Sequence, residues 1–347
     1  VNGKVTDDAK DGVSLLDVID FYVVTSTDED AEAIAIEDFT GNLMKTEKSG
    51  VYYIKGVMQT TAGNDYKNLT LDGITITVYA TQLNSENDSY GPDYDKDAPL
   101  PTVVSNQADV NSAIQDSTNK NVVLALPKDE TITLDNGIAH EGNKSRNVTF
   151  VGDGSQTVDV ATNAITAEGA NHLNYQRGST FTFENVTVEN GTGTYDGIVC
   201  DELIYKNCTI TGVTTLYGKA TFINCTFEND MANQYSIWTW GGTDVTFENC
   251  TFNTNGKAIL LYGQATEAKP TNLVVTNCEF NDRNNGSAGK AAIEIGNDYN
   301  ATYTLTVNAA TVNGFANGQN TGSKLWANKN SMDAAHLSVT IDGTKVQ

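Results

Sequence analysis

Basic residues are what this chain has least of: 21 Lys and Arg stand against 44 Asp and Glu, a formal charge of −23. Phosphate binding needs a basic surface, so the charge argues against nucleic acid and anionic membranes as partners, and the balance fits solubility or cation binding. No apolar run approaches the ~20 residues that span a bilayer as a helix. No CxxC, no His/Cys ligand spacing and no HExxH occurs, which leaves little for a metal centre of that kind. The residues from Val1 onward do not read as a signal peptide; the expectation is an extracellular or cell-surface protein whose signal peptide has been removed.

What the chain does have is one phrase, written five times: FENVTV, YKNCTI, FINCTF, FENCTF and VTNCEF, with asparagines at Asn185, Asn207, Asn224, Asn249 and Asn277. A degenerate sixth copy, VNAATV, ends at Val312. The separations of 22, 17, 25 and 28 residues vary too much for a helical-hairpin repeat, yet the phrase keeps its length. A constant core with variable inserts is what stacked β-coils produce.

Period-2 alternation places Phe183, Tyr205, Phe222, Phe247 and Val275 in one column and Val186, Cys208, Cys225, Cys250 and Cys278 in another. Val188, Ile210, Phe227, Phe252 and Phe280 form a third, and the Thr between the last two columns faces water. For both apolar pairs to point inward the chain must bend between them, and Asn tolerates the left-handed conformation that a corner needs. Stacked corner asparagines can also hydrogen-bond from coil to coil.

These corners and ladders resemble the right-handed parallel β-helix of the pectin-lyase-like superfamily. Residues 107–134 read as an amphipathic helix with Val110, Ala113 and Ile114 on one face, then two strands, similar to the N-terminal capping helix and first coil of that superfamily. The segment NVTFVGDGSQTVDV (147–160) is similar to the strand and Gly-Asp-Gly turn that follow there. The resemblance implies an all-β solenoid over 105–347.

All five cysteines, Cys200, Cys208, Cys225, Cys250 and Cys278, lie in the solenoid. The reading is a packed ladder of free thiols, with a disulfide or metal site as the alternative. So many reduced cysteines in an exported protein suggest an anaerobic bacterial source. The sequons at Asn147, Asn185, Asn207, Asn224 and Asn249 are read as corner asparagines rather than glycosylation sites.

Residues 1–84 have another texture, with alternating segments such as SLLDVIDFYVV and ITITVYATQ, and read as a smaller antiparallel β-sandwich. The stretch 51–82 resembles the C-terminal part of camelysin-like secreted bacterial matrix domains. Without HExxH, and with His140, His172 and His336 all outside this region, protease activity is not carried over. An acidic linker, 85–104, follows. In it Asp93, Asp95 and Asp97 alternate like the start of a calcium loop, but Ala98 stands where the turn glycine belongs and no Glu follows at the twelfth position. The alternatives are a solvated hinge and a hinge stiffened by calcium.

For a site, the segments TTLYG, IWTWG, ILLYG and AIEIG are aligned on Gly218, Gly241, Gly263 and Gly296. Tyr217, Trp240, Tyr262 and Ile295 then share a column, and Thr215, Trp238, Leu260 and Ile293 share the one two residues earlier. Facing outward, Trp238, Trp240, Tyr217 and Tyr262 would form a strip for stacking on sugar rings; Ile293 and Ile295 in the same columns favour an inward face. Lys257, Lys290 and Lys324 stand before these segments as a positive stripe that could engage uronic-acid carboxylates, or as edge lysines that discourage aggregation.

In the superfamily, pectate lyases use an Arg or Lys base with Asp/Glu-bound calcium, and polygalacturonases use several aspartates with a Gly-His-Gly. The chain has only Arg146, Arg177 and Arg283, none in an Arg-x-Pro-x-x-Arg, and its one Asp-Asp pair, Asp7-Asp8, lies in the other domain. Were there an active site, Lys290, Glu294 and Asp298 would be its residues, walled by loops 281–291 and 297–303. The expectation is a polysaccharide-binding or adhesive scaffold for host or cell-surface glycans. A polysaccharide lyase or glycoside hydrolase is the alternative, and a self-assembling structural matrix component, assisted by calcium, a third.

Overall fold

The structure is a computed structural model that describes residues 2–6, 15–28, 30–36, 39, 51–67, 69–75, 101–115, 120–134, 146–160, 176–191, 197–232, 234–262, 269–296 and 301–347. The chain divides into two compact units, Val1–Gln82 and Leu83–Gln347.

In the first unit, strand Ile19–Val24 is the centre of an antiparallel sheet, flanked by Ala33–Ala35 and Tyr53–Met58. Strands Asn2–Thr6 and Thr70–Thr75 pair antiparallel in a second sheet. The turn Leu15–Asp17 touches strands of both, and Leu15, Val18, Val23 and Val24 are buried. The end of the segment that resembles camelysin-like domains, 76–82, and most of the linker, with Asp93, Asp95 and Asp97, lie outside the described residues.

The second unit is a right-handed parallel β-helix. Among the described residues its coils build three sheets, of eleven, eight and five strands. One complete coil shows the plan. Strand Lys219–Ile223 lies in the longest sheet, the corner Asn224-Cys225 turns the chain into Thr226–Asn229 of the eight-stranded sheet, and Ile237–Thr239 supplies the third sheet before the next coil begins at Asp244.

The corners have the conformation that their residue type favours. Asn185, Asn207, Asn224, Asn249 and Asn277 all have φ between 52° and 54°, in the left-handed region that side-chain-bearing residues other than Asn and Asp seldom enter. Their amides stack: Asn207 Nδ2 donates to Asn185 Oδ1 at 3.1 Å, Asn224 to Asn207 at 3.1 Å, and Asn277 to Asn249 at 2.7 Å. In the degenerate sixth copy Ala309 holds the same corner at φ 56° without a side-chain acceptor. Its N–H donates instead to Asp342 Oδ1 at 2.8 Å. Asn147 is not a corner residue, contrary to its sequon reading; it opens strand Asn147–Val151 and donates to Asn121 Oδ1 at 2.7 Å.

Register turns the sequence columns into stacks. Phe183, Tyr205, Phe222, Phe247 and Val275 pair in consecutive strands, with ring centroids 4.9 Å apart for Phe183–Tyr205 and 4.7 Å for both Tyr205–Phe222 and Phe222–Phe247. A second stack, Phe227–Phe252–Phe280, has spacings of 4.3 and 4.7 Å. Such spacing follows from the distance between neighbouring strands, and the stacked rings are among the largest fully buried side chains.

The five cysteines are buried and free. The column thiols lie against main-chain carbonyls of their own coil and of the one before, as Cys208 does with Lys206 and Phe183, each at 3.3 Å. Burial pushes the Cys200 thiol up to about 12. At the N-terminal end, helix Gln107–Gln115 lays Val110 and Ile114, both fully buried, over the first coil.

Candidate functional site

The five-stranded sheet differs from the other two. On the long sheet one side of each strand faces the core and the other faces water, as in the alternation of Lys219–Ile223. On Thr214–Leu216, Ile259–Leu261, Ile293–Ile295 and Trp326–Asn328 all three residues are buried. Both faces of this sheet are therefore covered. Leu216, Ile237, Ile259, Leu261, Ile293 and Ile295 belong to the core. The opposite face is the column Thr215, Trp238, Leu260, Glu294 and Ala327, and side chains from the connections before and after each strand lie over it.

Glu294 is the charged member of that column and is 1% exposed. The Tyr235 hydroxyl, from the connection two coils earlier, donates to its Oε2. Lys290 Nζ lies 3.3 Å from Oε1 and Lys329 Nζ 3.8 Å from Oε2. Tyr235 and Lys257 each precede their strands, Ile237–Thr239 and Ile259–Leu261, by the same offset. They therefore stack in adjacent coils, with Lys257 Nζ 5.2 Å over the Tyr235 ring centroid.

The electrostatics follow from this crowding. Burial, then the charge of Lys290 and to a smaller extent that of Lys329, hold the Lys257 ammonium below its ordinary 10.5, with Glu294 opposing. Burial, then the Glu294 carboxylate, push the Tyr235 phenol up, so Tyr235 acts as a donor. The ammoniums of Lys290 and Lys329 lie on one buried carboxylate, and the charge of Glu294 also acts on Lys257.

An aromatic wall adjoins the lysines. Trp238 meets Tyr235 edge-on at 5.6 Å and Tyr262 at 5.3 Å, and Tyr262 tilts against Trp240 at 5.6 Å. Trp238, Trp240 and Tyr262 are half-buried, as is Tyr217 one coil before Trp240. Trp238 Nε1 is buried without an acceptor among the described residues.

Two sequence expectations need correction. The glycine alignment is right for the segments ending at Gly218, Gly241 and Gly263 but slips by one in the next: Ile293 pairs with Ile259, and Glu294 takes the place opposite Leu260. A slip of one residue exchanges the faces. Ile293 and Ile295 are core residues, whereas the Trp238 column faces away from the core, so the inward orientation inferred from those isoleucines is overturned. The lysine stripe changes too. Lys257 and Lys290 come to the site, but Lys324 is exposed and Lys329 stands on Glu294. Lys290 and Glu294 do meet, while Asp298 lies outside the described residues. Sequence reasoning missed Tyr235 and Lys329, since neither lies near Glu294 along the chain and neither belongs to a repeated phrase.

Among the described residues no group of three or more His, Cys, Asp or Glu side chains is arranged to hold a metal ion, and no helix is long and apolar enough to cross a membrane. No family model matches the chain. No curated protein matches it either. Among solved structures, it bears a likeness to the catalytic domain of GH87 α-1,3-glucanase in complex with nigerose, with a TM-score of 0.23 and 10% identity over 93% of this chain and 85% of that one. A variant of the same domain, also with nigerose, gives 0.22 and 9% over the same shares. Similarity at this level bears on neither the chemistry nor the ligand of this chain.

Proposed function

We propose that this chain is an extracellular or cell-surface glycan-binding scaffold of bacterial origin, in which the β-helix is a rigid shaft and the outer face of its five-stranded sheet is the binding surface. The observation that carries the reading is the half-buried run Trp238–Tyr262–Trp240 beside the Lys257, Lys290 and Lys329 ammoniums, on the side of the sheet away from the core. Aromatic faces suit the apolar side of a pyranose ring, and ammoniums donate to its oxygens. Tyr217 extends the wall by one coil. Under the same reading, the N-terminal unit anchors or assembles the shaft, and Asp93, Asp95 and Asp97 take calcium to stiffen the link.

Catalysis at Lys290, Glu294 and Asp298 is the second reading, favoured by the depressed Lys257 ammonium, which brings a lysine closer to service as a base. Against it, both oxygens of Glu294 are engaged by Lys290, Lys329 and Tyr235, which leaves it poorly placed to reach a glycosidic bond. The experiment is a glycan array with and without calcium, covering acidic and neutral polysaccharides and mucin-type glycans, with bound polymers assayed for unsaturated products and new reducing ends. Binding without cleavage, lost in Trp240→Ala and Tyr262→Ala, is the expected result. Cleavage would replace the scaffold reading with the enzymatic one, and binding by the isolated N-terminal region alone would move the site.

A further inference from the structure

In the first unit, strand Tyr53–Met58 lies at the edge of the three-stranded sheet, paired with Ile19–Val24 on one side and, among the described residues, with no strand on the other. We infer that this edge pairs with its counterpart in a second copy of the chain, antiparallel about a two-fold axis at Gly56, so that two three-stranded sheets become one of six strands. The inference rests on the assembling role proposed for the N-terminal unit, gives that role a surface, and is independent of what the shaft binds.

Three observations carry it. The first is an open apolar edge. All six residues of the strand are exposed, and Val51, Tyr52, Tyr53, Ile54, Val57 and Met58 keep between 40% and 67% of their surface open. Together they leave on the order of 500 Å² of apolar surface in one patch, near the upper end of what monomers expose. Two such patches brought together reach ~1,000 Å², the lower bound for a specific interface. Edge strands that are meant to stay single are usually blunted by a bulge, a proline or several charges. This one pairs with Ile19–Val24 through six consecutive residues without a bulge and carries Lys55 alone.

The second is charge. From Val51 to Asn64 there is no Asp or Glu, in a chain of formal charge −23. Two copies of so acidic a chain repel each other in most approaches, and a segment free of carboxylates is where they can come together.

The third is self-complementarity, which is what selects a second copy as the occupant. Residues directly opposite in an antiparallel pair share a face, so Ile54, Gly56 and Met58 lie on the side of Val23, Phe21 and Ile19. With Gly56 opposite Gly56, Ile54 meets Met58 on that apolar side and Lys55 meets Val57 on the other. Centring the pair on Lys55 would set the two ammoniums against each other, and centring it on Val57 would set Ile54 against Thr60 and Tyr53 against Thr61. The glycine at the axis has no side chain to hold the two backbones apart. The contact is isologous and closes on itself, which gives a dimer rather than a filament. Each dimer then carries two shafts, and a ligand with repeated epitopes can engage both.

The test measures mass against concentration for the full chain by sedimentation equilibrium at low and high salt. Wild type is compared with Val57→Lys, with the charge swap Lys55→Glu/Val57→Lys and with Ile54→Cys/Met58→Cys, and thermal melting confirms that each variant is folded. The expected result is a wild-type dimer with a dissociation constant in the micromolar range, tightened by salt as repulsion between the acidic chains is screened. Val57→Lys sets like charges opposite each other twice in every dimer and weakens it about tenfold or more. The charge swap sets opposite charges there and restores the dimer, which lost packing alone would not allow. Under mild oxidation Ile54→Cys/Met58→Cys links two copies, because four residues along a strand span ~13 Å and cannot join within one chain. Glycan binding per chain is the same in all variants, so a failure of the shaft reading shows separately. Wild type that stays monomeric at every concentration overturns the inference and removes the assembling role from this unit. A dimer indifferent to Val57→Lys overturns the pairing and leaves assembly to another surface. Loss in Val57→Lys that the charge swap does not restore overturns the register, and open-ended growth overturns the two-fold.

Discussion

Replacing Glu294 by Gln is the sharpest test of the cluster, because it keeps the shape of the side chain and removes only its charge. Glu294 is 1% exposed, and in the native protein it faces Lys290 at 3.3 Å, Lys329 at 3.8 Å and the Tyr235 hydroxyl. A glutamine oxygen can still accept from Tyr235, so that bond survives. What is lost is the attraction to the lysines. Hydrogen bonds to charged groups contribute roughly 1.5–3 kcal/mol each, and breaking a fully buried pair costs about 3–5 kcal/mol. The lysine side chains keep exposures of 30% and 20%, so water takes up part of the loss, and the expected destabilisation is about 2–3 kcal/mol. In a domain of this size that lowers the melting temperature by roughly 4–12 °C. Urea unfolding with an unchanged slope against denaturant would report it as stability rather than altered compactness. In a double-mutant cycle, adding Lys329→Met to Glu294→Gln should cost less than Lys329→Met in wild type, since the repulsion among the lysines is relieved. A Glu294→Gln variant within about 0.5 kcal/mol of wild type, the range of ordinary surface changes, would refute the picture of a carboxylate holding the cluster together.

Other outcomes follow from the same geometry. The Lys257 ammonium is depressed in the folded state by burial and then by Lys290, so below its ordinary 10.5 the unfolded chain binds more protons and stability rises with pH across that alkaline window. Lys257→Met should flatten this rise in a series of urea midpoints, and an unchanged slope would show that Lys257 is not under strain. Phe247 is fully buried and stacks on Phe222 at 4.7 Å. Phe247→Ala should cost about 3–5 kcal/mol and Phe247→Leu much less, since Val275 holds the same column in the next coil; equal losses would argue against a column that tolerates aliphatic residues. The five buried thiols should resist an aqueous thiol reagent until denaturant is added, and labelling of two or more in the native state would contradict the ladder. Ala309→Gly should stabilise by about 0.5–1 kcal/mol at its φ of 56°, whereas a loss would mean that the Ala309 side chain contributes contacts.

The legible and illegible parts of this chain differ for a physical reason. The long and eight-stranded sheets could be read because their strands bury one face and, from Asn185 to Asn277, meet at a two-residue corner led by Asn, so alternation and the phrase agree. Asn207 and its counterparts announce both the turn and the register of everything beside them. The third sheet carries no such signal. Its strands have three residues, buried on both faces except at the half-buried Trp238, and IWT, ILL and IEI contain no polar-apolar beat to fix which residue points inward. Glycine was the remaining guide, and Gly296 follows its strand directly while Gly263 comes one residue later. That offset hid the placement of Glu294 beyond Leu260. Tyr235 and Lys329 were hidden by distance along the chain, at 59 and 35 residues from Glu294.

The unequal coil lengths bear on how such a molecule can change over generations. From Asn185 onward two residues turn the chain from the long sheet into the eight-stranded one, while the connections flanking the third sheet range from the Tyr217-Gly218 pair to the residues between Asn313 and Trp326. Every residue assigned to the site except Glu294 and Trp238 comes from those connections. Insertions and deletions there leave the pitch and the stacked rings untouched. Selection can therefore rewrite one loop at a time, trialling new specificities on a shaft that does not have to be refolded for each attempt. Duplicating a coil would lengthen the shaft and offer another such loop.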